Sequence, residues 1–112
     1  VTSSGNGINV LPGSPYAAIR DNVVDAGGVG IRIASVGCSV ERNHVSGCGS
    51  VGLHFIAGSA QNTYGRNSLL RNTNAVFGGC TGTYIPPDFC NDSSATDNVS
   101  FKDNLTTGGP LF

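Results

Sequence analysis

The chain of 112 residues contains no methionine and no tryptophan, and only 12% of it is charged. Six Lys and Arg stand against seven Asp and Glu. Without a basic stripe or an arginine-rich run it lacks the electrostatic footprint that holds a phosphate backbone, so nucleic acid is not an expected partner. No apolar run approaches the roughly 20 residues of a spanning helix, and no stretch carries three turns of a 3.6-residue apolar stripe. The 17 glycines and 5 prolines weigh further against helix, because both residues are costly in a helix interior. The chain opens "VTSSGNG", with neither a Met nor a charged and hydrophobic leader, and reads as a mature or excised piece. It also lacks clustered carboxylates for calcium, a carboxylate pair for glycoside hydrolysis, a Ser-His-Asp order and a Gly-rich phosphate loop. No metal or cofactor is expected.

What the chain does have is enough apolar content for one folded domain, 38% at a net charge of −1. Its apolar residues recur at a fixed interval. "GNGINV" (5–10), "GVGIRI" (28–33) and "SVGLHF" (50–55) each carry a Gly-apolar pair, and Ile8, Ile31, Leu53 and Val76 follow one another at steps of 23, 22 and 23. A second marker, an asparagine three residues after an apolar residue, recurs at steps of 21 and 24 in Ile19/Asn22, Val40/Asn43 and Tyr64/Asn67, and again after a wider gap in Phe101/Asn104. A period in the low twenties, with short alternating strands and Gly or Asn at the corners, describes one coil of a β-solenoid. Successive coils lie about 4.8 Å apart, so that equivalent positions become columns. The expected interior columns are Ile8, Ile31, Leu53 and Val76; Val10, Ile33 and Phe55; and Ile19, Val40, Tyr64 and Phe101. Asn22, Asn43, Asn67 and Asn104 are expected to form a corner ladder in which each amide bonds its copies above and below.

On these residues, and above all on "GVGIRIASVGCSVERNHVSGCG" (28–49), the chain resembles the right-handed parallel β-helix, or pectate-lyase-like, superfamily, whose repeat runs Gly-Ile-x-Ile and then x-Asn-x-Val. The resemblance spans residues 5–79 and 96–108. It implies an all-β, right-handed parallel β-helix of four to five coils, at 5–27, 28–49, 50–74 and 75–108, forming a single domain over 1–112. The second choice of fold is an antiparallel β-sandwich. The wide spacing from Val76 to Phe101 implies a loop insertion over about 78–97. The superfamily includes lyases, hydrolases, epimerases, phage tail proteins, adhesins and structural proteins, so the likeness speaks for fold and hardly for function.

Four cysteines, Cys38, Cys48, Cys80 and Cys90, suit two disulfides in an oxidising compartment better than a zinc knuckle, since the spacing is wide and neither histidine adjoins them. The expected pairs are Cys38–Cys48 and Cys80–Cys90, the latter pinning the insertion, with a crossed Cys48–Cys80 bridge as the alternative. The expected location is secreted or extracellular, cell surface and periplasm included.

The outward column of the first strand, Asn9, Arg32, His54 and Phe77, is the candidate ligand-binding face, and in the superfamily such strands often form a saccharide groove. Arg32 and His54 are weak catalytic candidates, Arg neutralising a uronate carboxylate while His removes the adjacent proton. The bland alternative is a solvated face. Arg20 with Glu41 and Asp21 with Arg42 are expected salt pairs, and Asn91 and Asn98 fit the N-glycosylation sequon. The leading functional expectation is a secreted non-catalytic β-solenoid, structural or adhesive, which self-associates through its open ends into a filament and buries Leu111-Phe112 at a contact. The alternatives are a fragment of a polysaccharide lyase or epimerase, and a glycan- or receptor-binding module of a phage tail or cell-surface protein.

Overall fold

A coil in the low twenties has room for three strands of about three residues separated by tight corners, and the computed structural model shows this arrangement repeated. It describes residues 1–72, 79–85, 87–92, 94–107 and 111–112. In chain order the strands are β1 (Thr2–Ser3), β2 (Ile8–Val10), β3 (Ala18–Arg20), β4 (Val23–Ala26), β5 (Ile31–Ile33), β6 (Ser39–Glu41), β7 (His44–Ser46), β8 (Leu53–Phe55), β9 (Thr63–Gly65), β10 (Ser68–Leu70), β11 (Thr83–Ile85), β12 (Phe89–Asn91), β13 (Val99–Ser100) and β14 (Leu105–Thr106). They form three sheets, one for each face of the coil. Face one runs β2-β5-β8-β12-β11, face two β3-β6-β9-β13 and face three β1-β4-β7-β10-β14. All pairings are parallel except β11 with β12. The chain is a right-handed parallel β-helix.

Alternation along each strand sends one residue type inward, and stacking turns those residues into a core. On face one Ile8 pairs with Ile31, Ile31 with Leu53 and Leu53 with Phe89; on face two Ile19 pairs with Val40 and Val40 with Tyr64. Ile31, Ile33, Val40, Val45, Leu53 and Phe55 are fully buried. The glycine before each face-one strand is a packing requirement. A Cβ on Gly30 would lie 2.3 Å from Val45 Cγ1 and 2.6 Å from the Gly52 carbonyl oxygen, and one on Gly7 would lie 2.6 Å from the Gly30 carbonyl oxygen. This close passage between coils is why the Gly-Ile pair recurs in the sequence.

The corner between faces two and three turns through a residue with positive φ, at Asp21 (57°), Arg42 (54°) and Arg66 (54°). The next residue is in each case an asparagine. Asn43 Oδ1 accepts from the backbone N and Nδ2 of Asn22 at 3.1 and 3.0 Å. Asn67 Oδ1 accepts the same two bonds from Asn43, and Asn104 Oδ1 accepts them from Asn67. Asn104 in turn donates from N and Nδ2 to the Phe112 carbonyl oxygen, at 3.0 and 2.7 Å, so that oxygen stands where a further asparagine oxygen would. A second ladder runs at another corner, where Asn62 Oδ1 accepts from Cys38 N, and Asn98 Oδ1 accepts from Asn62 N and Nδ2.

The fourth coil departs from the repeat. Val76 lies outside the described residues. The strand stacked on β8 is β12, so the stretch 78–97, expected as an excursion, contains a coil strand, and the excursion precedes that strand. Tyr64 pairs with Ser100, not Phe101, and Phe101 is 58% exposed. The corner that follows is one residue longer, with Lys102 and Asp103 both at positive φ. The interior place expected for Phe101 is served by Phe112, whose ring lies 6.1 Å from that of Tyr64 and 4.7 Å from that of Phe89. Asp21 and Arg42 form an ion pair at 2.9 Å, while Glu41 contacts Arg42 at 3.3 Å and Arg20 donates to Ser39 Oγ.

Replacing a middle rung strips partners from buried backbone on both sides, because Asn43 Nδ2 also donates to the Ile19 carbonyl. Asn43→Ala is expected to lower stability by about 3 kcal/mol and Asn22→Ala, at the half-buried end of the ladder, by about 1 kcal/mol. Urea unfolding checks this, and equal losses for the two would show that the ladder does not carry the corner.

Candidate functional site

On face one, Asn9 stands beside Arg32 and Arg32 beside His54. Arg32 Nη1 donates to Asn9 Oδ1 at 3.3 Å. Phe77 lies outside the described residues, and the position next to His54 on the following coil belongs to Cys90. The column therefore ends in sulfur chemistry.

His54 is only 7% exposed, unlike the exposed Asn9 at the start of its column. The cover is local. Strand β11 folds back antiparallel on β12, and the disulfide joins Cys80 at the start of that hairpin to Cys90 within it. Asp92, just past β12, closes the pocket from the other side. Its Oδ1 lies 3.2 Å from His54 Nε2 and 3.3 Å from Cys90 Sγ, and accepts from Thr81 N at 3.3 Å, while Oδ2 accepts from Ala57 N at 3.1 Å. One nitrogen of His54, the sulfur of Cys90 and one oxygen of Asp92 all lie within 4.8 Å of one another. This is the one cluster of three His, Cys, Asp or Glu side chains at metal-binding separation among the described residues. A buried carboxylate is costly unless its lone pairs are used, and Asp92 uses both oxygens. Asp92 was missed in the sequence, where "NDS" reads as a sequon around Asn91 and carries no sign that the chain turns the aspartate inward.

A second buried carboxylate, Asp88, occupies the place next to Gly52 on the fourth coil, its carbonyl accepting from Leu53 N. Its Oδ1 accepts from Asn72 N and Nδ2, its Oδ2 from Thr107 N, and Asn72 Oδ1 accepts from Cys48 N. Asp88 is thus the last rung of a third ladder and has a structural task.

The expected Cys38–Cys48 bridge is not formed, and both residues are buried thiols. The nine residues between them span two faces. Cys38 leads into face two, with its N on Asn62 Oδ1 and its Sγ near the Ser14 and Val36 carbonyls. Cys48 follows face three, with its N on Asn72 Oδ1 and its Sγ near the Ser46 carbonyl. Burial pushes the Cys48 thiol above its usual pKa, which keeps it protonated and unreactive at neutral pH. The sequon amides are also engaged, since Asn98 Nδ2 donates to Asn91 Oδ1 at 3.0 Å while Asn98 Oδ1 serves as a rung.

Face two carries a cleft of about 230 Å³ lined by Glu41, Gly65, Arg66 and Phe101. Its floor exists because position 65 is glycine, where a Cβ would come within 2.8 Å of Phe101 Cβ.

Comparison with protein families matches residues 1–84 to the family described as NosD, periplasmic copper-binding protein. The matched segment includes His54 and stops before Cys90 and Asp92. No curated protein and no solved structure matches the chain.

Peptide mapping of the folded chain without reductant is expected to recover Cys80 linked to Cys90. Cys38 and Cys48 are expected to resist alkylation until denaturant is added. A peptide joining Cys38 to Cys48 would contradict the separation of their corners.

Proposed function

The chain belongs to the NosD family and is an extracellular or periplasmic β-solenoid module, and from that premise we propose that its role is non-catalytic, structural or adhesive. The observation that carries this reading is the enclosure of His54. General-base removal of a proton from a polymeric uronate requires the imidazole within hydrogen-bond reach of the substrate. Here the ring is only 7% exposed, lies beside Cys90 of the disulfide hairpin and is engaged by Asp92. That burial weighs against the Arg-His pair as lyase or epimerase machinery for a chain-like substrate.

The family description names copper. Among the described residues, the one cluster at metal-binding separation offers one imidazole and one carboxylate in the disulfide form, and the Cys90 sulfur is spent in the bridge, so this cluster lacks the sulfur donor of an imidazole–thiolate copper site. No step of the proposed role is routed through copper.

Self-association belongs to the same reading. Strands β2 and β3 end their sheets and present open strand edges, which pair readily with another chain. Leu11, Tyr16 and Val23 of the first coil are 55%, 79% and 67% exposed. In the last described coil Phe112 lies over the aromatic core. A second reading, glycan binding, is favoured by the face-two cleft, where the exposed Phe101 ring supplies a stacking surface and Arg66 and Glu41 supply hydrogen-bonding groups.

Incubation with polygalacturonate or alginate is expected to release no unsaturated uronate, and turnover that disappears in His54→Ala would replace this reading with the enzymatic one. Sedimentation velocity is expected to show mass rising with protein concentration. A monomer at every concentration, joined with oligosaccharide binding that Phe101→Ala abolishes, would favour the glycan-binding module instead.

A further inference from the structure

The Cys80–Cys90 bridge and the His54–Asp92 pair share one corner of face one, and from that juxtaposition we propose that reduction of the disulfide opens a site for Zn2+ held by His54, Cys80, Cys90 and Asp92. This goes beyond the structural role.

Two of the donor separations are already those of a ligand shell, and His54, Cys90 and Asp92 offer donor atoms within 4.8 Å of one another. Zinc bonds of about 2.0 Å to nitrogen and oxygen and about 2.3 Å to sulfur place neighbouring tetrahedral ligands roughly 3.3–3.5 Å apart. His54 Nε2 and Asp92 Oδ1 are 3.2 Å apart, and Asp92 Oδ1 and Cys90 Sγ 3.3 Å. Cys80 supplies the fourth donor, its sulfur tethered beside Cys90 in a hairpin that β11 and β12 hold together independently of the bridge. The ligands come from two coils, His54 on β8 and the others from the hairpin and its exit, so coil stacking fixes their relative positions. The Ala57 and Thr81 backbone N–H groups donate to Asp92 and orient its carboxylate, as outer partners commonly do at metal sites.

The redox step balances with a dithiol as reductant. One thiolate of the dithiol attacks the sulfur of Cys80, which is half-buried while Cys90 is fully buried. The S–S bond breaks and Cys90 leaves with the electron pair. The second thiol of the reductant then displaces Cys80 from the mixed disulfide. The dithiol becomes a disulfide, and the protein gains two electrons and two protons as two thiols. A cation entering the site displaces those protons. Two thiolates and a carboxylate carry three negative charges in a buried corner, which a divalent cation offsets better than a monovalent one, so the charge favours Zn2+.

The test uses the whole chain in both redox states. It is reduced with a phosphine, freed of reductant, and titrated anaerobically with Zn2+ alone against a chromophoric chelator. Cys38 and Cys48 are thiols in either state, so a difference between the states reports on Cys80 and Cys90. The reduced chain is expected to take up one equivalent at least 100-fold more tightly than the disulfide form, with Zn2+ shielding Cys80 and Cys90 from alkylation. His54→Ala is expected to weaken uptake tenfold or more, with His54→Gln used should the alanine variant lose its β-sheet circular dichroism. Equal uptake by the two redox states, or uptake by the reduced chain that neither His54 variant changes, overturns the proposal.

Discussion

A corner asparagine that accepts two hydrogen bonds from the coil before it and donates two to the coil after it is the interaction on which this molecule depends. The corner backbone takes a left-handed residue at Asp21, Arg42 and Arg66, which removes the next N–H from the sheet ladder. An amide side chain can answer this because it carries both an acceptor and two donors, so each rung satisfies its neighbour's backbone and side chain together. The bond pattern is translational, so it forces successive coils into the same register. That register is also what aligns the inward residues and lets the glycines at 7, 30 and 52 pass close to neighbouring backbone.

The fourth coil shows what happens when the repeat is broken while the bonding demand remains. Asp88 replaces a glycine of the face-one column, and its carboxylate completes the ladder below Asn72. Ser100 replaces an apolar residue on face two, and Phe112 packs over Tyr64 and Phe89 instead. Its carbonyl oxygen answers Asn104. The same bonds are made there by different groups.

The candidate site arises at that break. Because the excursion precedes β12, the hairpin partner β11 lies at the outer edge of face one, and the chain leaving β12 brings Asp92 against His54. The bridge, the carboxylate and the imidazole occupy one buried corner as a consequence of where the insertion enters the coil. Redox state there decides whether two sulfurs bond each other or are available as ligands.

The sequence by itself determined the β-helix. The columns Ile8-Ile31-Leu53 and Ile19-Val40-Tyr64 and the asparagine spacing at 22, 43 and 67 are readable in one dimension, because a parallel stack converts period directly into contact. The same reasoning failed at Phe101, where an extra corner residue shifts the phase, and periodicity has no means of locating such a shift. It also failed for Cys38 and Cys48, whose nearness in sequence is undone by a corner that places them on different faces. Only the tertiary structure decided that Cys90 stacks on His54 and that Asp92 turns inward to join them, because that contact links residues 38 positions apart through a hairpin whose direction no repeat specifies.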